Sequence, residues 1–300
     1  SAVTINGSGS TAVKNLLDVC IPDYQKTSGN TVNYAGGGSG AGRSAFTAGT
    51  VDFAFSDAAY GKSDAKPTDF NYIPNVSFPL AMIYNLPSVK DPINLSGDTL
   101  ANIFAGKITK WNDPAIVADN KKSYTVQVFK TDGKGNPVKD AKGQPILIGT
   151  KKVNQSVTLP PQPITVIYRG DSSGTTGNLL AAFSQIDPTD WPNASKAGST
   201  KVFASSDAKS AVLADPIHFQ AANGSAGVAQ LAAKTPYSIT YAEINFAKLN
   251  NLALANVVNK NGDLVQPDDA SAAAQVATAD IAATGVVTQN YVNPAKGVYP

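Results

Sequence analysis

At three places along this 300-residue chain a short β-rich run meets a turn of glycine, serine and threonine, and helical spacing begins directly after it. The first is Ala2 to Asn6, followed by Gly7-Ser-Gly-Ser-Thr11 and a helix running towards Lys26, with Pro22 expected to kink or end it early. The second joins Thr31 to Tyr34 through Gly36-Gly-Gly-Ser-Gly-Ala-Gly42 to a helix over Arg43 to Ala48, and a strand from Val51 to Phe55 then ends at Ser56-Asp57. The third is the apolar run Ile164 to Tyr168, then Arg169-Gly-Asp-Ser-Ser-Gly-Thr175 and a helix over Thr176 to Ser184. Strands and helices alternating in this way need crossover connections, so the predicted fold class is α/β with mostly parallel sheets.

A chain of 300 residues, 42% hydrophobic and 15% charged, has room for two such units. The run Phe78 to Leu86, closed by Pro87, is the expected crossing from one lobe to the other. Beyond it Ser96 caps a helix through Phe104, and Gly224 to Ala233 and Tyr237 to Ile244 supply another helix and strand. The Ala-rich tail is expected to return to the first lobe. Residues 1–85 and 242–300 then form lobe I, and 86–241 form lobe II. Residues 121–160 interrupt the rhythm with alternating Tyr124 to Phe129, Gly- and Lys-rich turns, and Pro145 to Ile148, which predicts a β-hairpin insertion with lysines on a solvated face.

Composition excludes several chemistries. The chain has one cysteine, Cys20, one histidine, His218, and one methionine, Met82. Neither a disulfide framework nor a Cys/His metal cage can be assembled from these, so no zinc, haem or iron-sulfur cofactor is expected. Cys20 falls in the helical series Val13, Leu16, Leu17, Cys20, Tyr24, and is expected to be a buried apolar residue. A net charge of +2 and a pI near 8.4 create no field that would gather nucleic acid or an anionic membrane surface. Any anion must be captured by local groups. No apolar run reaches the roughly 18 residues of a membrane span. The sequence opens at Ser1 without a basic, apolar leader, which fits a mature or trimmed exported protein.

Ser10-Thr11, Ser39-Gly40 and Ser173-Gly174-Thr175 each place hydroxyls and glycine at the first turn of a helix. There the backbone N–H groups lack internal partners and point along the positive end of the helix, and glycine lets them approach a ligand. One such turn says little, because Ser and Thr cap most helices without binding anything. Charged residues at neighbouring strand ends make the coincidence informative. Arg169 could set its planar fork against two oxygens of a tetrahedral anion, or form a surface ion pair; Asp171 is placed to hold its guanidinium. Asp57 admits two roles. It could accept the hydrogen bond of the proton that phosphate keeps at neutral pH and sulfate lacks, or it could cap the following turn.

These residues resemble a known family over nearly the full chain. The matching pieces are Gly7-Ser-Gly-Ser-Thr11, Val32-Asn-Tyr, Gly38-Ser39-Gly, Gly49 to Asp57, Ile103-Phe-Ala-Gly-Lys-Ile-Thr-Lys-Trp-Asn-Asp113 and Arg169 to Thr175. Together they are similar to the phosphate-binding proteins of Pst-type phosphate ABC transporters. That resemblance implies two α/β lobes of the periplasmic-binding-protein kind, joined by a two-segment hinge and closing on one inorganic phosphate, with no catalysed reaction. It implies hydroxyl bonds from Thr11, Ser39, Ser173 and Thr175 and backbone N–H bonds from Ala12, Ser39, Gly174 and Thr175. Arg169 is then the countercharge, Asp57 the proton acceptor, and Asp171 and Ser10 stand behind them. The expected partner is a membrane permease, and the expected form is a monomer outside the cytoplasm, periplasmic or lipid-anchored. Two features depart from the family: Ala12 stands where Phe is frequent, and the hairpin at 121–160 replaces a shorter connection.

Three other readings fit parts of the sequence. Gly170-Asp-Ser172-Ser-Gly174 fits the Gly-x-Ser-x-Gly nucleophile elbow of an α/β-hydrolase. Its base would be His218, oriented by Asp187, Asp190, Asp207 or Asp215, yet only 45 residues separate Ser172 from His218, too few for the intervening elements of that fold. Gly37 to Ser44 comes one residue short of a P-loop, because Arg43 stands where lysine is needed. A surface adhesin or scavenger on the same fold is the third, since fold does not fix role.

Overall fold

The computed structural model describes residues 1–154, 156–193 and 201–299, so residue 155 of the expected hairpin lies outside the described residues. The N-terminal unit runs β1 (Thr4–Gly9), α1 (Lys14–Ser28), β2 (Thr31–Gly36), α2 (Ser39–Thr47) and β3 (Phe53–Phe55). Its strands form a parallel sheet in the order β2-β1-β3. Helix α1 continues through Pro22 to Ser28 rather than stopping there, and Gly29 closes it in the left-handed conformation.

The larger unit begins with β4 (Leu80–Asn85), β5 (Asn94–Ser96), α3 (Gly97–Phe104) and α4 (Pro114–Asp119), and continues through β6 (Ser123–Phe129), β7 (Leu147–Asn154), β8 (Thr165–Arg169) and α5 (Gly174–Ile186). A 3-10 turn at Phe203–Ser205 leads to α6 (Lys209–Ala214), β9 (Phe219–Ala222), α7 (Gly224–Lys234), β10 (Ser238–Glu243) and α8 (Ile244–Leu249). Then come β11 (Ala253–Leu254), β12 (Asn256–Val258), β13 (Leu264–Val265), α9 (Asp269–Ala277), β14 (Asp280–Ile281) and β15 (Val287–Thr288). Caps written in the sequence form as their chemistry requires: Ser96 accepts from the Thr99 N–H, and Asp113 accepts from the Ala115 N–H with Pro114 in the first helical turn.

The central sheet has the order β11-β4-β10-β8-β9. Strand periodicity divides its side chains between two cores. Met82 and Tyr84, Val166 and Tyr168, and Ile239 and Tyr241 face one cluster with Phe104, Trp111, Leu179 and Phe183. Ala81 and Ile83, Ile167 and Ala242 face the other, beneath α7 and α8. Strands β6 and β7 pair antiparallel, and β7 is exposed along most of its length.

Two expectations need adjustment. Within residues 242–300, expected to return to lobe I, β11 pairs with β4, β12 with β5, and the Gln185 side chain bonds Gln289 and Tyr291, while Gly285 packs against Tyr72. The physical reason is that β4, placed by its apolar pattern in the central sheet rather than with lobe I, offers β11 its open edge, and Ala255, Val257 and Val265 complete the core. Cys20 is exposed rather than buried. Its apolar stripe is covered only at the start: Val13 is buried and Leu17 half-buried, while Leu16, Cys20 and Tyr24 are exposed, and no residue within α1 itself is buried.

Candidate functional site

Parallel pairing puts the carboxyl ends of β1, β2 and β3 on one edge and those of β8, β9 and β10 on another. Ligand crevices of α/β sheets form at such edges. The two edges meet: the Gly40 N–H donates to the Ser172 carbonyl at 3.0 Å, and Asn178 Nδ2 donates to the Asp57 carbonyl at 2.8 Å. Glycine permits this approach. A Cβ at Gly38 would lie 2.4 Å from Asp171 Oδ2, and one at Gly174 would lie 2.7 Å from Ser39 Oγ and 2.8 Å from Asp57 Cβ. Gly38 also has a φ of 92°, which side chains rarely adopt.

Asp57 is the hub. Ser10 Oγ donates to its Oδ1 at 2.6 Å, and Ser39 Oγ and Thr175 Oγ1 lie 3.2 and 3.3 Å from its Oδ2. Among the described residues these carboxylate partners are hydroxyls and not N–H groups of the following turn, which speaks against the capping role. Nearby, the Tyr34 hydroxyl donates to the Ser10 carbonyl at 2.8 Å, and burial, then the charge of Asp57, pushes that phenol well above its usual range.

Arg169 is 2% exposed, so it is not a surface ion pair. Its Nε donates to Asp171 Oδ1 at 2.7 Å, Nη2 donates to Asp171 Oδ2, and Nη1 lies 3.4 Å from Ser225 Oγ. Burial opposes the guanidinium charge, but the hydrogen bond and charge of Asp171 outweigh it and hold Arg169 above its ordinary value. Burial likewise opposes the charge on Asp171, yet Arg169 and the Gly224 N–H hold that carboxyl below the usual range.

The residues expected to line the anion site lie at this crevice. Thr11 Oγ1 accepts from the Ser225 N–H at 3.1 Å and lies 3.1 Å from Ser225 Oγ. The Ala12 N–H donates to Ser10 Oγ, and Ser173 Oγ accepts from the Thr176 N–H, each at 3.1 Å. Ser39, Gly174 and Thr175 open α2 and α5, where N–H groups have no partner within the helix.

Sequence reasoning missed Ser225, Tyr241 and Glu243. Tyr241 takes the Arg169 N–H at 3.1 Å and lies 2.7 Å from Thr176 Oγ1; burial pushes its phenol up to about 12. Glu243 is buried at the end of β10, with Thr175 Oγ1 3.1 Å from its Oε1. The available signal was an acid closing an apolar strand, the same signal that marked Asp57.

The hydrolase constellation does not assemble. The His218 carbonyl accepts from the Val166 N–H, at the opposite end of the β8–β9 pair from Arg169 and Ala222, and three strand residues separate those ends by about 10 Å. His218 Nδ1 pairs with Asp215 Oδ2 at 2.8 Å, away from Ser172. Arg43, at the P-loop lysine position, is buried with Nη1 2.8 Å from Ser56 Oγ, bracing the end of β3. Among the described residues no group of three or more His, Cys, Asp or Glu is placed to hold a metal, and no helix is long and apolar enough to cross a membrane.

Comparison with known proteins identifies the family. The family model described as a PBP superfamily domain matches residues 1–300. The phosphate-binding protein PstS of Pasteurella multocida is 31% identical over 279 residues, 93% of this chain and 67% of that protein. The phosphate-binding protein PstS 3 of Mycobacterium tuberculosis is 31% identical over 310 residues, 99% of this chain and 70% of that protein. Among solved structures, the phosphate binding protein of Stenotrophomonas maltophilia shares the fold with a TM-score of 0.59 and 22% identity, covering 99% of this chain and 75% of that one. With its whole length matched, this chain belongs to the PBP superfamily, in the family of the PstS phosphate-binding proteins.

Proposed function

We propose that the protein captures inorganic phosphate between its two units and delivers it to the membrane permease of an ABC-type importer, without catalysing a reaction. The observation that carries this reading is a buried arginine and a carboxylate set among hydroxyls and helix N-termini at one crevice. Asp171 occupies one edge of the Arg169 fork and leaves the other edge, with its Nη N–H groups, for two ligand oxygens. Thr11, Ser39, Ser173 and Thr175 contribute hydroxyls, and Ser39, Gly174 and Thr175 contribute backbone N–H groups. The Ala12 N–H joins them by exchanging its bond to Ser10 Oγ for one to the ligand. Asp57 accepts the hydrogen bond of the ligand's proton and sets a bare sulfate oxygen against a carboxylate. The protein acts as a monomer outside the cytoplasm, free in a periplasm or lipid-anchored.

Calorimetry of the phosphate-free protein against phosphate, arsenate and sulfate tests this. The wild type should bind phosphate and arsenate, which share the proton, and ignore sulfate. Asp57→Asn, whose amide can turn an N–H towards a bare oxygen, should narrow the phosphate-to-sulfate ratio at least about tenfold, the equivalent of roughly 1.4 kcal/mol. A ratio that does not move removes the proton-acceptor role; a wild type that binds no phosphate removes the function.

A further inference from the structure

One carboxyl at the crevice has no part in that reading. Glu243 closes β10 as Arg169 closes β8, and strand parity places it on the α5 side of the sheet with Ile239 and Tyr241. It is 4% exposed. Thr175 Oγ1, from the first turn of α5, stands 3.1 Å from its Oε1, while Oε2 has no hydrogen-bond partner among the described residues. The other groups facing it are the carboxylate of Asp57, Arg169 in its pair with Asp171, and the uncharged hydroxyl of Ser225; Tyr241 precedes it by two residues on the same strand.

The threonine hydroxyl sets the argument. Thr175 Oγ1 lies 3.1 Å from Glu243 Oε1 and 3.3 Å from Asp57 Oδ2, but it carries one hydrogen and can donate to only one of them. Were both carboxyls ionised, the other contact would set a lone pair against a charged oxygen. Oε2 would in addition be a buried charged oxygen that receives no hydrogen bond within normal distance, while the Ser225 hydroxyl, which favours the charged form, is already engaged with Thr11 and Arg169. A proton on Glu243 removes both conflicts, since it is given to Thr175 Oγ1 and leaves the hydroxyl hydrogen for Asp57 Oδ2, from which it can turn to a ligand that brings its own proton to Asp57. It also avoids a third carboxylate charge beside the single arginine of an anion site.

We propose that Glu243 is held as a neutral carboxylic acid and donates to Thr175 Oγ1, a positioning residue that aims the threonine hydroxyl at the bound anion. This rests on the phosphate reading of the crevice. Burial, and after it the charge of Asp57, raises the Glu243 carboxyl above its ordinary range. With a raised value the neutral form is complete below the ordinary carboxylate range and is lost as pH rises through the raised one. Phosphate affinity falls along the same limb.

Two measurements on the full chain decide it. In infrared difference spectra of wild type against Glu243→Gln at neutral pH, the carbonyl stretch of a protonated carboxylic acid should appear; its absence overturns the proposal. In calorimetry with inorganic phosphate, Glu243→Ala should lose about tenfold to a hundredfold in affinity by leaving the Thr175 hydroxyl without its donor. Glu243→Gln, a neutral group with an N–H to give, should restore affinity to within about threefold of wild type and flatten the alkaline limb. A glutamine variant as weak as the alanine variant, with both folded by circular dichroism, overturns the proposal. A wild type that binds no phosphate fails the function instead, and the infrared band still decides the state of Glu243.

Discussion

Strands β1 and β8 both end in a hydroxyl-bearing turn that leads to a helix at the crevice, but every residue of β8 is buried, whereas β1 becomes buried only at Gly7 and Gly9. The helices differ in the same way. Helix α5 sinks Leu179, Leu180 and Phe183 into the larger core, while α1 buries nothing and leaves Leu16 37% and Val19 69% exposed. The same arrangement of donors therefore rests on a thick wall and on a thin one. Contacts at the crevice itself hold the thin wall: Thr11 to Ser225, Gly40 to Ser172, and Asp57 to Thr175 and Asn178. A binding turn needs its strand end and its neighbours placed, and a deep core is one of two ways to place them.

The largest effect should separate the walls by stability. Phe183→Ala empties a fully packed site and should cost about 3 to 5 kcal/mol in chemical denaturation. Leu16→Ala, on the uncovered face of α1, should change stability by less than about 0.5 kcal/mol. Comparable losses from the two would break the comparison.

Binding should be less lopsided than stability, because the charge that recognises the ligand is anchored in the thick wall. Arg169→Ala should weaken phosphate binding by about 2 to 5 kcal/mol, and it leaves Asp171 without its cation in a mostly buried place. The sign with pH follows from the lowered Asp171 value. The stability of the pair is present above the ordinary carboxylate range and is lost as pH falls through the depressed folded value. In Arg169→Ala the acid limb of the denaturation profile should shift to higher pH. Unchanged phosphate affinity in calorimetry would remove Arg169 from the site.

Which of these features the sequence disclosed follows from the range of the forces behind them. Ile164 to Tyr168 announced β8 because a strand buried on both faces needs side chains that no surface strand could carry. The anion turns were legible because helix caps, glycine approach and strand-end charges are local chemistry. Cys20 was misjudged because periodicity tells which face of a helix is apolar and not whether anything covers it. The pairings of the tail were missed for a related reason: nothing within Ala253–Leu254 says which strand edge will be open to receive it. Glu243 and Ser225 escaped because each looks ordinary where it stands, an acid before a helix and a serine in one. Their meaning comes from Asp57, Thr11 and Thr175, which only the folded topology brings beside them.

The smallest effect concerns the rim, where the walls also touch through charges. Lys201 Nζ lies 3.8 Å from Asp64 Oδ2, with side chains 12% and 38% exposed, one residue on each side of the crevice. Burial, and then the nearby charge of Arg43, lowers the Lys201 value, and Asp64 offsets part of that. At this separation the pair lacks hydrogen-bond geometry, and water reaches Asp64, so it should contribute about 0.2 to 1 kcal/mol. Asp64→Asn keeps an oxygen to accept from the Gly61 N–H, so the local turn survives the change. The variant should therefore lose less than about fivefold in phosphate affinity at low salt. That loss should vanish near 1 M salt, where screening acts over about 3 Å. If the thin wall were held by its rim and not by the buried contacts around Asp57, Asp64→Asn would weaken phosphate binding as severely as Arg169→Ala and would do so at every salt concentration. Titrations of both variants at low and high salt separate these outcomes.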